Sequence, residues 1–583
     1  MNESRVVKDV LPNGLTILID EDRTSSVVAV NLWVRAGYFD EEDAEVGISH
    51  VIEHMFFKGT PDRPRPDQIA TEIKSLGGEL NAGTYYDSTN YYVVLPAENF
   101  RKALEIEADA LMHPLFDAEE LKREIEAVIQ EGRRKIDTPG AYAVEMLFRE
   151  AFDVHRIRRW RIGSEEGLRA MTRDQLLAYY GAHYLPGRVI LSIVGDVRPK
   201  DAIEAAHVYL GGMPAAEGKP LGSAPEPAQN RFKFRRLKGD IKRAQTLVGY
   251  HTPPVLTDDD FALRIAAHIL GAGRSSRLFQ AIKEKAGLVD SIGASVESFR
   301  DIGIMTVTAE NEPKHGEAAI GAIQAEIERL RREPPAQSEI DRARAAIEFR
   351  HHQSRSEVLG RSSLLAYFEA LGGHRLAEES MERLSRVSAV DVRRSAEAWL
   401  TLENATLIEY VPEGEKDEAV DAAILFDTLR RVAAAPAAAD SSAGRLQTAA
   451  DAPAPSPPRV SRLGQSGGVT RHRFDIGPVL LHEERRDLPI VTFCVVFRGG
   501  RSGEGRENSG ISRLMQAVMM KGSASRDARQ LAQEIEGLGS AIERLVDEDY
   551  FGFSISILSR HARKGFEILM DLVRRPAFRH EEI

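Results

Sequence analysis

His50-Val51-Ile52-Glu53-His54 carries the residue types of a hydrolytic metal centre at helical spacing. Residues i and i+4 of a helix lie one above the other on one face, so the two imidazoles can meet one zinc ion at ~2.0–2.1 Å. Glu53, three residues after His50, points to the same side and can reach a water at the metal without being a ligand. Zinc lowers the pKa of such a water to about 7, where a carboxylate suffices to finish its deprotonation. The order is the inverse of H-E-x-x-H. The opposing reading is a solvated helix with two surface histidines. Gly47 before the motif and Met55-Phe56-Phe57 after it argue for a helix buried on at least one side.

A catalytic zinc takes three protein ligands and keeps a fourth position open. The third candidate lies in REIEAVIQEGRR (123–134), where Glu124 and Glu131 are seven residues apart and share one helix face. A structural zinc site is disfavoured, because such sites are closed by four ligands, usually with cysteine, and no cysteine is near.

The elements around these residues read as α+β. Residues 15–19 (LTILI) and 27–34 (VVAVNLWV) are predicted strands, with Asn13-Gly14 as the turn before the first. The motif helix is expected over 45–58, and a second helix over Ile69 to Leu76, closed by Gly77-Gly78. Leu80 to Leu95 reads as hairpin strands rich in Tyr, Thr and Val, Glu119 to Lys135 as a long helix, and Val189 to Val194 as a buried strand. Residues 213–231 have linker composition. A second α+β unit follows, with a strand over Gln245 to Tyr250, a helix over Asp260 to Leu270, another helix within 271–287, and a closing strand over Ala405 to Val411. Residues 433–468 are low-complexity Ala, Pro, Ser and Gly and read as a tether.

After the tether the chain repeats its own beginning. Gly14 and Gly477 are 463 apart, and the same offset links Gly37 to Gly500, Gly47 to Gly510, Ser49 to Ser512 and Lys58 to Lys521. After a one-residue deletion, Leu76-Gly77 corresponds to Leu538-Gly539. Glycines, apolar positions and spacing agree together, as in two domains of one ancestry. At this offset His50 becomes Arg513, Glu53 becomes Gln516 and His54 becomes Ala517, so the second copy cannot bind zinc in this way. HPLFDAEEL (113–121) matches RPAFRHEEI (575–583), so the repeat is expected to be truncated.

HxxEH, a Glu 77 residues after His54, and a companion Glu seven earlier together resemble the pitrilysin/insulinase family of zinc peptidases. GGELNAGT (77–84) resembles the family's GG-x-x-NA-x-T strand, and GRSSRLFQAIKEKAGL (273–288) resembles its second-domain signature. The resemblance covers 5–411 and, degenerately, 469–583. It implies one zinc per chain held by His50, His54 and Glu131, with Glu53 as general base and Glu124 orienting the site. It implies that Asn81 and Ala82 contact the backbone of a peptide added as a strand. It also implies a peptidase-type metalloenzyme fold of repeated sheet-plus-helix domains in a two-half clamshell. The domains expected are a zinc-binding catalytic one over 1–212, a second without metal over 232–412, a linker over 413–468 and the truncated repeat over 469–583.

The expected function is a zinc-dependent endopeptidase or oligopeptidase acting on peptides or unfolded protein segments. The alternative is a catalytically silent scaffold or assembly subunit of the same fold, which would be expected to lose ligands as the second copy has. A homodimer or a partner subunit is compatible with either. HRIRRWRIGS (155–164) departs from the family in being strongly basic; it reads as a solvated loop or as a preference for acidic substrates.

Composition narrows the classes. Net charge −12 argues against a nucleic-acid footprint and a polybasic membrane patch. Cys494 is the sole cysteine, which excludes an intrachain disulfide, and VTFCVV (491–496) reads as a buried strand. No run of eighteen apolar residues predicts a membrane span. The N-terminus lacks a signal-peptide core, so with Met1 as the start the cytoplasm is expected.

Overall fold

The computed structural model describes residues 6–216, 223–415, 421–434 and 458–582. The chain forms two compact units, one of residues 1–340 with 357–437, the other of 341–356 with 438–583. No helix among the described residues is long and apolar enough to cross a membrane.

The first unit is α+β and holds two sheets. The first sheet has six strands: β1 (Val7–Val10), β2 (Thr16–Glu21), β3 (Val27–Val34), β4 (Glu79–Thr84), β5 (Thr89–Pro96) and β6 (Val189–Gly195), in the order β1-β2-β6-β3-β5-β4. β2 and β6 run parallel and the other pairs antiparallel. One face is covered by helices α1 (Ile48–Phe56), α2 (Gln68–Ser75), α3 (Phe100–Met112) and α4 (Ala118–Ile136), whose apolar sides join β2, β3, β5 and β6 in one core. β3, β6 and most of β2 are buried along their length, which is why they read as continuous apolar runs rather than alternating ones.

The second sheet comprises β7 (Lys233–Gly239), β8 (Ala244–Thr252), β9 (Ser291–Ser298), β10 (Gly303–Asn311) and β11 (Ala405–Pro412), in the order β7-β11-β8-β10-β9. The two sheets exchange helices. α5 (Pro139–Ala151) follows the first domain's α4 in the chain, yet Ala143, Leu147 and Phe148 pack with Leu247, Ile304 and Ile408 of the second sheet. In return the helix Val358–Leu371 covers the far face of the first sheet, with Ala366 against Leu18, Trp33 and Ile190 and Val358 against Ala29 and Val194.

One expected segment needs correction. The linker predicted over 413–468 contains a helix, Ala422–Ala434, which buries Leu425 and Leu429, and a strand, Val460–Ser466, paired with Val469–Phe474. Leu425 and Leu429 are one helical turn apart, a spacing that low-complexity composition does not reveal; residues 435–457 of the tether lie outside the described residues. The segment 271–287 turns into a helix as expected, π-helical over Phe279–Lys285, after Gly273 at φ +83°.

In the second unit the repeat is reproduced element by element. The strand Ile490–Arg498, the helices Ile511–Met519 and Ala528–Gly537, the hairpin Ile542–Val546 with Tyr550–Leu558, and the helix Ala562–Arg574 stand for β3, α1, α2, β4, β5 and α3. The strands of the second unit pair as two three-stranded groups, one within Val460–His482 and one within Ile490–Leu558. Cys494 corrects its expectation: it lies in the predicted strand but is exposed. Its counterpart Asn31 is buried, donating from Nδ2 to Ser363 Oγ (3.3 Å) on the helix Val358–Leu371. On the same face of the second copy Thr492, Cys494 and Val496 are open to solvent.

Candidate metal centre

α1 starts at Gly47, whose φ of +98° only glycine adopts cheaply. The N-terminal N–H groups that a helix leaves unpaired are met by a carboxylate: Gly47 and Ser49 donate to Glu41 at 3.0 Å each. Ile48, Val51, Ile52, Met55 and Phe56 anchor the helix in the core and turn His50, Glu53 and His54 to the other side. α4 is capped by Asp117, which accepts from the N–H of Glu119 and Glu120 at 3.0 Å, and places three basic residues in its last turn. Its buried stripe of Leu121, Ile125, Val128 and Ile129 packs in the same core, bringing Glu124 and Glu131 over α1.

His50, His54 and Glu131 converge, with one ligand atom of each lying within 4.8 Å of the others. Glu131 Oε2 stands 3.7 Å from His50 Nε2 and 3.8 Å from His54 Nε2. Tetrahedral zinc with ~2.1 Å bonds needs ligand atoms about 3.4 Å apart, so both Glu131–imidazole distances lie a few tenths of an ångström above that spacing. Glu124 is not part of this triangle: its Oε2 is 3.0 Å from His54 Nδ1, on the far side of the ring. Glu126 turns away to Arg169 (3.0 Å). Lys58 Nζ in turn lies 2.6 Å from Glu124 Oε1 and 3.7 Å from Glu120. His50 Nδ1 is buried and has no hydrogen-bond partner among the described residues.

The charges suit a cation. Burial and the neighbouring His54 hold His50 down at about 4, so its ring is a neutral donor. Burial also disfavours the charged His54 ring, but Glu124, Glu131 and Glu53 outweigh it and lift His54 to about 9. The neighbouring His54 ring is the largest influence on Glu131 and keeps it below the usual carboxylate range. Burial raises Glu53, and the Thr84 hydroxyl, donating to Glu53 Oε2 at 2.6 Å, offsets part of that. Three carboxylates thus crowd around two imidazoles, a donor set and charge balance that fit a divalent ion such as zinc.

Asn81 and Ala82 lie on β4, the terminal strand of the six-stranded sheet, paired with Tyr92 and Tyr91 and open on the other side. Asn81 is exposed and its Oδ1 accepts from the Ala82 N–H at 2.9 Å. The basic segment departs from the solvated-loop reading. Arg156 donates to Phe39 O (2.7 Å), and Arg159 to Glu41 O (2.9 Å) and Tyr38 O (2.8 Å), so they clasp the loop that leads to Glu41. Arg161 pairs with Glu145 (2.9 Å) over the ring of Tyr86. Sequence reasoning missed Glu41, Lys58, Thr84 and Arg159 as supports. Glu41 had a signal: its counterpart Glu504 accepts from Gly510 and Ser512 in the same way.

The family model described as "Insulinase (Peptidase family M16)" matches residues 16–163 and again 479–583, and that of the "Peptidase M16 inactive domain" matches 170–347. The double match agrees with the repeat at offset 463. An uncharacterized zinc protease of Rickettsia bellii is 30% identical over 388 residues, covering 66% of this chain and 93% of its own. The uncharacterized zinc protease YmxG of Bacillus subtilis is 28% identical, covering 69% and 97%. Among solved structures, a protease from Helicobacter pylori superposes with a TM-score of 0.66 at 21% identity, over 70% of this chain and 99% of that one. The periplasmic protease PqqL from Escherichia coli does so with a TM-score of 0.64 at 18% identity, over 100% of this chain and 67% of that one. With a relative at this level of identity matched over nearly its full length, and the family's models matching both copies of the repeat, the chain belongs to the insulinase family of peptidases, M16.

Proposed function

We propose that this chain is a zinc-dependent endopeptidase or oligopeptidase acting on peptides or unfolded protein segments, with one zinc per chain held by His50, His54 and Glu131. The observation that carries the reading is the convergence of those three groups from two helices, with Glu53 one turn from His50 on the same side. Zinc held there would supply Lewis acidity towards a scissile carbonyl and would lower the pKa of a water to about 7. Glu53 takes the proton of the attacking water and delivers it to the leaving amine. Glu124 holds His54 through Nδ1, which would leave Nε2 free to hold the metal. A peptide extends the sheet at β4, with Asn81 and Ala82 meeting its backbone. The silent-scaffold alternative suits the second copy, where Arg513, Gln516 and Ala517 replace the motif, rather than the first.

The deciding experiment is Glu53→Gln in the whole chain, with zinc content from elemental analysis and turnover from a quenched fluorescent peptide library. Zinc is expected to stay bound and turnover to fall by at least ~10²–10⁴-fold. Near wild-type turnover in Glu53→Gln, or equal cleavage by metal-free protein, overturns the reading.

A further inference from the structure

We propose that Thr84 is a positioning residue for Glu53, its hydroxyl engaging one carboxylate oxygen and leaving the other as the proton acceptor. The inference rests on the peptidase reading above. Thr84 closes β4, in register with Thr89 of β5, so its backbone is fixed by the ladder. A β-branched side chain on a strand has a restricted χ1, and the 2.6 Å contact to Glu53 Oε2 is made from a rigid base. Glu53 lies on α1, so this one hydrogen bond ties the helix bearing the motif to the strand at the open sheet edge.

The repeat separates a structural role from a functional one. The counterpart of Thr84 is Val546, which pairs with Phe551 as Thr84 pairs with Thr89. The counterpart of Glu53 is Gln516, whose Nε2 turns inward to Leu545 O (2.9 Å) and Gly552 O (2.6 Å). Both copies therefore place a β-branched residue at this strand end. The hydroxyl is present where the helix carries a carboxylate and absent where it carries an amide. Threonine and valine have nearly the same shape, so what the fold requires of the position is met by valine. What distinguishes the first copy is a donor aimed at Glu53.

The test compares Thr84→Val, Thr84→Ser and the double variant Thr84→Val/Glu53→Gln in the zinc-loaded whole chain. Thr84→Val should lower kcat by ~10–100-fold, as loss of a supporting hydrogen bond typically does, with zinc content and KM little changed. Thr84→Ser should recover most of the loss. In the Glu53→Gln background Thr84→Val should have no further effect, because the group it positions no longer takes a proton. If Thr84→Val fails to fold, Thr84→Ala carries the same comparison. Wild-type kcat in Thr84→Val, a serine no better than valine, or an additive loss in the double variant overturns this inference alone. Absence of activity in the zinc-loaded wild type defeats the peptidase reading instead.

Discussion

Removing the Glu124 carboxylate should weaken zinc binding without removing a ligand. Its Oε2 is 3.0 Å from His54 Nδ1, and its side chain is 13% exposed, so water competes little for that contact. A partner behind a ligating histidine is typically worth 10–100-fold in metal affinity, or about 1.4–2.7 kcal/mol. Lys58 pushes the expectation to the upper end. Its ammonium is 2.6 Å from Glu124, and once that charge is gone its nearest carboxylate is Glu120 at 3.7 Å, leaving a positive charge poorly compensated beside the metal. Glu124→Gln should therefore bind zinc ~100-fold more weakly, and Glu124→Gln/Lys58→Met should recover part of the loss. The assay is zinc affinity by chelator competition on the whole chain, with Glu131→Ala as the ligand-loss reference. Wild-type affinity in Glu124→Gln would refute the anchoring role. A loss as complete as that of Glu131→Ala would show that Glu124 is itself a ligand and that the triangle has been misassigned.

Two further expectations concern stability. Glu107 on α3 is fully buried, neither carboxylate oxygen has a hydrogen-bond partner among the described residues, and burial raises its pKa well above the ordinary value. A raised folded-state pKa means full stability below the unfolded value of about 4.3 and a loss of up to ~1.4 kcal/mol per pH unit above it, until the folded group ionises. Glu107→Leu should thus gain on the wild type as pH rises from 5 to 8 in urea unfolding, and parallel pH profiles would refute this. Gly47→Ala and Gly510→Ala both incur the left-handed cost of ~1–2 kcal/mol, at φ +98° and +91°. Only the first also drives a Cβ to 2.4 Å from Ile162 O, so its thermal midpoint should fall further; equal shifts would contradict the geometry.

What the sequence by itself determined is local or periodic. The spacing of His50, Glu53 and His54 on one helix face, the seven-residue interval between Glu124 and Glu131, the strand over 27–34, and the repeat at 463 are all legible, because one helical turn or one strand encodes them. The choice of Glu131 as the third donor needed the family resemblance, and the geometry that agrees with it needed the fold: 77 residues separate it from His54, and only the shared core of α1 and α4 closes that gap. The exchange of α5 and the helix Val358–Leu371 between the two sheets has no local signature, since an apolar helix face does not specify which sheet it covers. The same reason explains Cys494. Its strand was readable, but burial depends on what packs over that face, as the helix Val358–Leu371 does over Asn31, and a strand's own residues do not encode that. The arginines of 155–164 looked like a solvated loop because charge alone carries no partner. Tertiary structure placed buried carbonyls of Tyr38 and Glu41 against Arg159, and unpaired backbone acceptors are costly enough to hold it there.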